Sequence, residues 1–176
     1  ISSFGTDIVL SASHRYRRKK PLNVDGARTS FEWQSQVSLS SNLYTETSDF
    51  NLNIISADTG PSFISAGRWL GAIPFRIDYV NLGQSSLATA LSVNPYISFD
   101  LGNYRSIMIE STYLKRNYAD TINDPQDGDL LMAGAAYTTL LQNLNTGIEA
   151  GFRLRSRSAK DDQFAFDGLT LYFSGY

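Results

Sequence analysis

The sequence predicts an all-β fold, an antiparallel up-and-down transmembrane β-barrel, on three observations. The segment from Phe31 to Leu43 alternates apolar and polar residues, and successive side chains of a strand point to opposite faces. The segment is longer than the roughly 5–6 residues of an average strand and close to the ~9–11 that cross a bilayer at a tilt. The sequence has no run of ~18 apolar residues that could form a helical span.

Composition agrees with this fold class. The 176 residues are 42% hydrophobic and 18% charged, and the charged share is below the ~25% of average soluble proteins. Ten Tyr and ten Phe in a chain without cysteine suit alternating strands and allow no disulfide. The net charge of −2 does not favour a polyanionic partner, so no nucleic acid is expected.

Alternation and turn formers predict about nine strands, which we take in chain order. The first alternates Ile8, Leu10, Ala12 and Tyr16 with polar residues, and the turn formers Pro21 to Gly26 follow it. The predicted strands lie near residues 6–16, 31–43, 50–64, 74–79, 87–99, 107–116, 130–141, 148–155 and 168–176.

Prolines modify two of these strands. Gly60-Pro61 predicts a kink or an early end of the third strand, and Pro95 predicts a bulge or an interrupted ladder in the fifth. The strand at 130–141 is apolar on both sides, so its orientation is left open. The basic run Arg15, Arg17, Arg18, Lys19 and Lys20 is expected to form a loop cluster that is solvated or lies against anionic headgroups.

The connections predict orientation. Those after residue 101 alternate short and long, and bacterial barrels have short periplasmic turns and longer outer loops. The last strand would then run inward and end in the periplasm. Nine strands would place Ile1 outside, whereas complete bacterial barrels have an even strand number. We therefore expect residues 1–176 to be a single outer-membrane barrel domain or the C-terminal fragment of a larger one.

The two sides of the predicted strands define the candidate site. Residues expected to face a lumen are Glu32, Gln34, Gln36, Arg76, Asp78, Glu110, Arg116, Glu149, Arg153 and Arg155. Residues expected to face lipid are Phe31, Trp33, Val37, Leu39, Phe75, Ile77, Tyr79, Ile107, Ile109 and Phe152. The charged groups could form a charge-selective path, but structural ion pairs inside a barrel wall are the favoured interpretation.

Aromatic residues near the predicted strand ends favour interfacial girdles over ordinary β-sheet packing. They are Trp33, Tyr44, Trp69, Phe75, Tyr113, Tyr118, Tyr172 and Tyr176.

Catalytic and metal motifs are not predicted. The cluster Asp120, Asn123, Asp124, Asp127 and Asp129 has oxygen ligands but not the spacing of an EF-hand, and such residues are common in loops. The single histidine, His14, is expected on an apolar face without a local catalytic motif. We expect no enzyme activity, no cofactor and no metal site.

Several stretches resemble the C-terminal barrels of outer-membrane proteins that carry N-terminal tetratricopeptide repeats, including the surface lipoprotein assembly modifier family. They are Ser48 to Leu52 with Gly60-Pro61, Tyr113 to Tyr118 leading to Asp127 to Asp129, and Asp161-Asp162 with Phe166 to Gly168. The end, Leu169 to Tyr176, resembles a barrel-assembly signal, although Ser174 departs from the usual bulky residue.

The resemblance implies an export or assembly channel for a surface lipoprotein or polymer in the bacterial outer membrane. Its implied partners are outer-membrane lipid, a periplasmic repeat domain and an exported cargo. A passive porin or structural anchor within an envelope complex, and a soluble all-β binding module, are the alternatives.

Overall fold

The protein is described by a computed structural model that covers residues 7–24, 27–44, 51–66, 68–83, 85–119, 122–141 and 146–175. Eleven strands form one sheet in which every hydrogen-bonded pair is antiparallel. The strands are β1 Asp7–Val24, β2 Ala27–Tyr44, β3 Leu52–Ser65, β4 Trp69–Ala72, β5 Phe75–Leu82, β6 Ser85–Val93, β7 Tyr96–Gly102, β8 Arg105–Tyr118, β9 Gly128–Leu141, β10 Thr146–Arg157 and β11 Phe166–Gly175. Within these ranges no helix is long and apolar enough to cross a membrane.

Two proline breaks explain why the sheet has eleven strands and not nine. β4 and β5 both pair with β3 and are separated at Ile73-Pro74, while β6 and β7 both pair with β8 and are separated at Asn94-Pro95. A proline lacks the N–H that a ladder requires. The predicted interruption at Pro95 is therefore confirmed, and the four-residue strand β4 is an element that the sequence did not reveal.

The predicted early end of the third strand at Gly60-Pro61 is wrong. β3 continues through this dipeptide, and the discontinuity lies in the neighbouring strand instead. A Cβ added at Gly60 would lie 2.3 Å from the Ile73 carbonyl oxygen, so this position requires glycine because the broken strand approaches it closely. The Ile73 N–H donates to the Pro61 carbonyl at 3.0 Å and restores pairing past the break.

The first strand is longer than expected. β1 continues to Val24 and β2 begins at Ala27, so Pro21 and Asn23 lie within the strand. Within the described ranges β1 pairs only with β2, and an edge strand tolerates proline. The basic run consequently lies in a strand and not in a loop.

Connection lengths differ between the two ends of the sheet. One end has residues 25–26, 66–68, 103–104 and 142–145, and we call it the short-loop end. The opposite, long-loop end has residues 45–51, 83–84, 119–127 and 158–165. The expected alternation after residue 101 is present, with 83–84 as a short connection among the long ones.

Among the described residues, the buried side chains are small or polar and the large apolar side chains are exposed, the reverse of a typical soluble domain. The buried apolar residues are alanines, Ala72, Ala88, Ala90 and Ala136, and no large side chain is fully buried. Buried polar residues include Glu32, Ser56 and Ser62. An ordinary soluble domain buries its large apolar side chains in a core, so the two faces of this sheet need separate descriptions.

Candidate functional site: the two faces of the sheet

One face of the sheet is polar. Strand pairing places one row of residues side by side across the sheet, and the side chains of this row lie on the polar face. The row contains Lys19, Glu32, Ser62, Ala72, Tyr96, Glu110, Gly134, Arg153 and Thr170. All ten residues predicted to face a lumen lie on this polar face.

The opposite face is apolar. The adjacent row, one residue along each strand, contains Phe31, Phe63, Gly71, Ile97, Ile109, Ala135, Phe152 and Leu171. All ten residues predicted to face lipid lie on this apolar face. Contact with lipid and with water remains a prediction for the two sets.

Exposure differs between the faces. Glu32 on the polar face is 3% exposed, whereas Val37 on the apolar face is 54% exposed and Leu171 is 75% exposed. The apolar face also exposes Leu39, Ile55, Phe75, Ile77, Leu91, Ile109, Leu131, Leu154, Leu169 and Phe173. An exposed surface of large apolar side chains marks a contact site for a membrane, another protein or a ligand.

Polar groups on the apolar face bond to one another. The Trp33 Nε1–H donates to Thr59 Oγ1 at 2.9 Å, and the hydroxyls of Ser35 and Thr59 are 2.7 Å apart. Polar groups removed from water require such partners. A row of polar residues, Ser41, Asn53 and Asn81, borders the apolar surface towards the long-loop end.

The apolar stretch of β2 has dimensions that suit a bilayer. From Phe31 to Leu39 it measures about 27 Å along an extended strand, and Thr29 and Ser41 follow on the same face at its two ends. A tilt of roughly 35–45° would reduce that length to about 19–22 Å, a few ångströms below the ~25 Å height of the apolar band in transmembrane sheets.

The expected aromatic girdles receive mixed support from the positions of the aromatic residues. Trp33, Trp69, Phe75 and Tyr113 lie on the apolar face, but Trp33 lies well inside β2 and not at its end. Tyr118 and Tyr172 lie on the polar face, so they are wrongly assigned to a lipid-facing girdle. The Tyr44 side chain and Tyr176 lie outside the described residues.

An ion pair crosses β9 on the polar face. The Arg153 Nε–H of β10 donates to Glu110 Oε1 of β8 at 2.8 Å, and the residue between them in register is Gly134. A Cβ at Gly134 would lie 3.0 Å from Arg153 Cγ and 2.7 Å from the Phe152 carbonyl oxygen. The absence of a side chain on β9 therefore allows the guanidinium to reach β8.

Tyr172 packs over a second glycine on the same face. A Cβ at Gly151 would lie 2.6 Å from the Tyr172 hydroxyl oxygen. The Arg153 guanidinium carbon lies 5.2 Å from the centroid of the Tyr172 ring, within the range of a cation–π interaction. Glu110, Arg153 and Tyr172 thus form one connected group on strands β8, β10 and β11.

Two further ion pairs connect charged groups elsewhere on the polar face. Arg76 Nε donates to both carboxylate oxygens of Asp78 at 2.8 and 3.0 Å, and its Nη2 donates to Ser56 Oγ at 3.0 Å. Lys19 Nζ lies 3.3 Å from Glu32 Oε1. Each pair compensates a carboxylate that is less exposed than its cationic partner, which limits the cost of burying that carboxylate.

Two long connections pack together at the long-loop end, and we call residues Ile122 to Asp127 with Ser158 to Ala165 the loop ledge. Backbone bonds continue beyond the strands, from Lys160 N to Asp127 O at 2.7 Å and from Asp161 N to Pro125 O at 2.9 Å. Lys160 Nζ also pairs with Asp124. The Lys160 hydrogen bond lowers the pKa of Asp124, and the Asp124 hydrogen bond raises the pKa of Lys160.

The described residues contain no candidate metal site. No group of three or more His, Cys, Asp or Glu side chains in them is placed to hold a metal ion. Asp120 of the acidic cluster lies outside the described residues, while Asp124 pairs with Lys160 and Asp129 accepts from the Tyr113 hydroxyl at 3.0 Å. His14 is exposed and lies beside Val37 on the apolar face.

Comparisons with known proteins add no family assignment. No family model, curated protein or solved structure matches the chain. The feature that sequence reasoning missed is the pair of glycines beneath Arg153 and Tyr172. For Gly134 the reason is that both sides of 130–141 are apolar, so strand alternation did not indicate which residues of that strand share a face with the charges.

Proposed function

We propose that the chain forms all or part of the wall of an outer-membrane β-barrel. This barrel acts as an export or assembly channel for a surface lipoprotein or polymer. The observation that supports this proposal is the inversion of the two faces. Large apolar side chains are exposed on one face, while Glu32 and small side chains, alanines and serines, are buried on the other. A membrane-spanning sheet between lipid and water has this arrangement.

A passive porin or a structural anchor in an envelope complex is the second candidate. It is favoured by the Arg153–Glu110 and Arg76–Asp78 pairs, which stiffen a wall without requiring a cargo. The export assignment is supported only by the resemblance of the loop and strand motifs. A soluble binding module is disfavoured, because the apolar face would be exposed to water.

Two experiments separate these functions. A membrane barrel should migrate differently on a denaturing gel before and after boiling, and a protein that is monodisperse without detergent would contradict both membrane functions. In planar bilayers an open channel should give discrete conductance steps. Absence of openings at any voltage would contradict transport through the polar face and leave the anchor.

A further inference from the structure

We infer that Arg116, Arg155 and Arg157 form a binding site for oxyanions, such as phosphate-bearing or carboxylate-bearing solutes, on the polar face near the long-loop end. We call these residues the arginine cluster. The inference deepens the proposed function, on which its transport consequence rests, because it names the class of solute that the polar face would attract.

The three arginines share one face of β8 and β10, the two strands that flank β9. Arg155 and Arg157 are two residues apart on β10, so their side chains project to the same side. Arg116 of β8 pairs in register with Gly128, and Arg157 pairs with Leu130 two residues further along β9. Gly128 adds no side chain between the two guanidinium-bearing strands.

These arginines differ from the other cations on the polar face in their partners. Arg153, Arg76 and Lys19 each pair with a carboxylate. In contrast, Arg116 Nη1 donates to the Tyr118 hydroxyl at 3.4 Å and Arg157 Nη2 donates to the Gln126 carbonyl at 3.1 Å. Both acceptors are neutral, so the positive charges are not compensated by these bonds.

Neither Arg155 nor the nearby carboxylates form an ion pair within the arginine cluster. Arg155 is exposed and forms no ion pair with any described residue. Asp124 pairs with Lys160, Asp127 accepts from the Tyr118 N–H, and Asp129 accepts from the Tyr113 hydroxyl. Nearby carboxylates are thus bonded to donors outside the cluster.

A cavity of about 110 Å³ adjoins the cluster. Two of the three cluster arginines, Arg116 and Arg157, line it, and Arg155 does not. The other lining residues are Gln126, Gly128 and Asp129 with the apolar Leu114, Leu130 and Phe166, so the loop ledge forms part of its border. Two guanidinium groups at one cavity can each offer two parallel N–H donors to an oxyanion. The cavity and two guanidinium groups that form no ion pair with a described carboxylate together support binding of a small oxyanion.

Calorimetric titration of the protein with inorganic phosphate tests the site in non-ionic detergent, where no lipid phosphate competes. The double variant Arg155→Gln/Arg157→Gln should weaken phosphate binding at least about tenfold, a loss typical of removing a charge-assisted hydrogen bond. The control Lys115→Gln removes a positive charge beside Arg116 but on the apolar face, and it should bind phosphate like the unmodified protein. No binding to the unmodified protein, or equal binding to all three, would overturn the inference.

The reversal potential in a potassium chloride gradient tests the transport consequence. Anion preference that falls in the double variant and persists in Lys115→Gln would support the inference, whereas a conducting protein with no change between them would overturn its transport part. A protein that binds phosphate but conducts no current would instead contradict the proposed channel and leave the site intact.

Discussion

At the scale of single residues, the contrast between Leu39 and Ser38 connects position in the strand with environment. Leu39 is exposed on the apolar face and Ser38 is its neighbour on the polar face. An arginine on the lipid side of a transmembrane strand must be removed from water or displace its side chain to the interface. The two positions therefore provide a matched comparison one residue apart.

Leu39→Arg should reduce the free energy of unfolding by ~2–4 kcal/mol if the residue lies near the bilayer midplane, and Ser38→Arg should have a small effect. Reversible unfolding by denaturant in lipid vesicles measures both values. Equal losses for the two variants would show that the faces are wrongly assigned.

Gly134 is a residue at which adding one methyl group tests the packing of Arg153 over β9. A Cβ there would meet the backbone oxygen of Phe152 at 2.7 Å and the Arg153 side chain at 3.0 Å. Gly134→Ala should destabilise the protein by about 1–3 kcal/mol because the strand or the arginine must move. Denaturant unfolding measures the loss.

Gly168→Ala is the matched control for that substitution. No atom lies within 4 Å of a Cβ at Gly168, so the same methyl group should be neutral or slightly stabilising in this strand. A result in which Gly134→Ala is as stable as Gly168→Ala would contradict the described crossing of Arg153 over β9.

At the scale of elements, the loop ledge is held by an exposed ion pair and by backbone bonds. Asp124 has a pKa below its usual 3.8, so its contribution to docking is complete above that value and is lost as pH falls through the lowered pKa. Lys160 has a pKa above its usual 10.5, so its contribution is complete below 10.5 and is lost as pH rises through the raised pKa.

Amide hydrogen exchange in residues 158–165 should therefore show constant protection from pH 7 towards the usual pKa of Asp124, 3.8, and decreasing protection below it, after correction for intrinsic exchange rates. In Lys160→Gln this acid-dependent decrease should be smaller, because the partner that stabilises the Asp124 carboxylate is absent. An identical acid profile in both proteins would contradict the role of this pair.

Alternation predicted the elements well where one face is apolar and the other is charged, as in β2 and β5. It did not reveal β4, because four residues are too few for a periodic pattern. The extension of β1 through Pro21 was missed because turn formers describe local preference, whereas pairing with β2 determines the register. The Glu110–Arg153 pair joins residues 43 positions apart, a contact that depends on the order of the strands.

At the scale of the whole molecule, the two faces of the sheet differ in the size of their side chains. The glycines and alanines of the polar face, including Gly134, Gly151, Ala88 and Ala90, leave space for long polar side chains from neighbouring strands. The apolar face needs no such space, since its large side chains project away from the sheet. From the proposed function we expect lipid to contact the apolar face and water to contact the polar face.

Single-cysteine labelling tests this claim most directly, and the chain contains no cysteine of its own. Environment-sensitive fluorophores at Val37→Cys and at the adjacent Gln36→Cys would be compared in vesicles. The label at position 37 should be quenched by spin-labelled lipid and protected from aqueous iodide, and the label at position 36 should show the reverse. Equal access of iodide to both labels would contradict the assignment of the apolar face to lipid and the polar face to water.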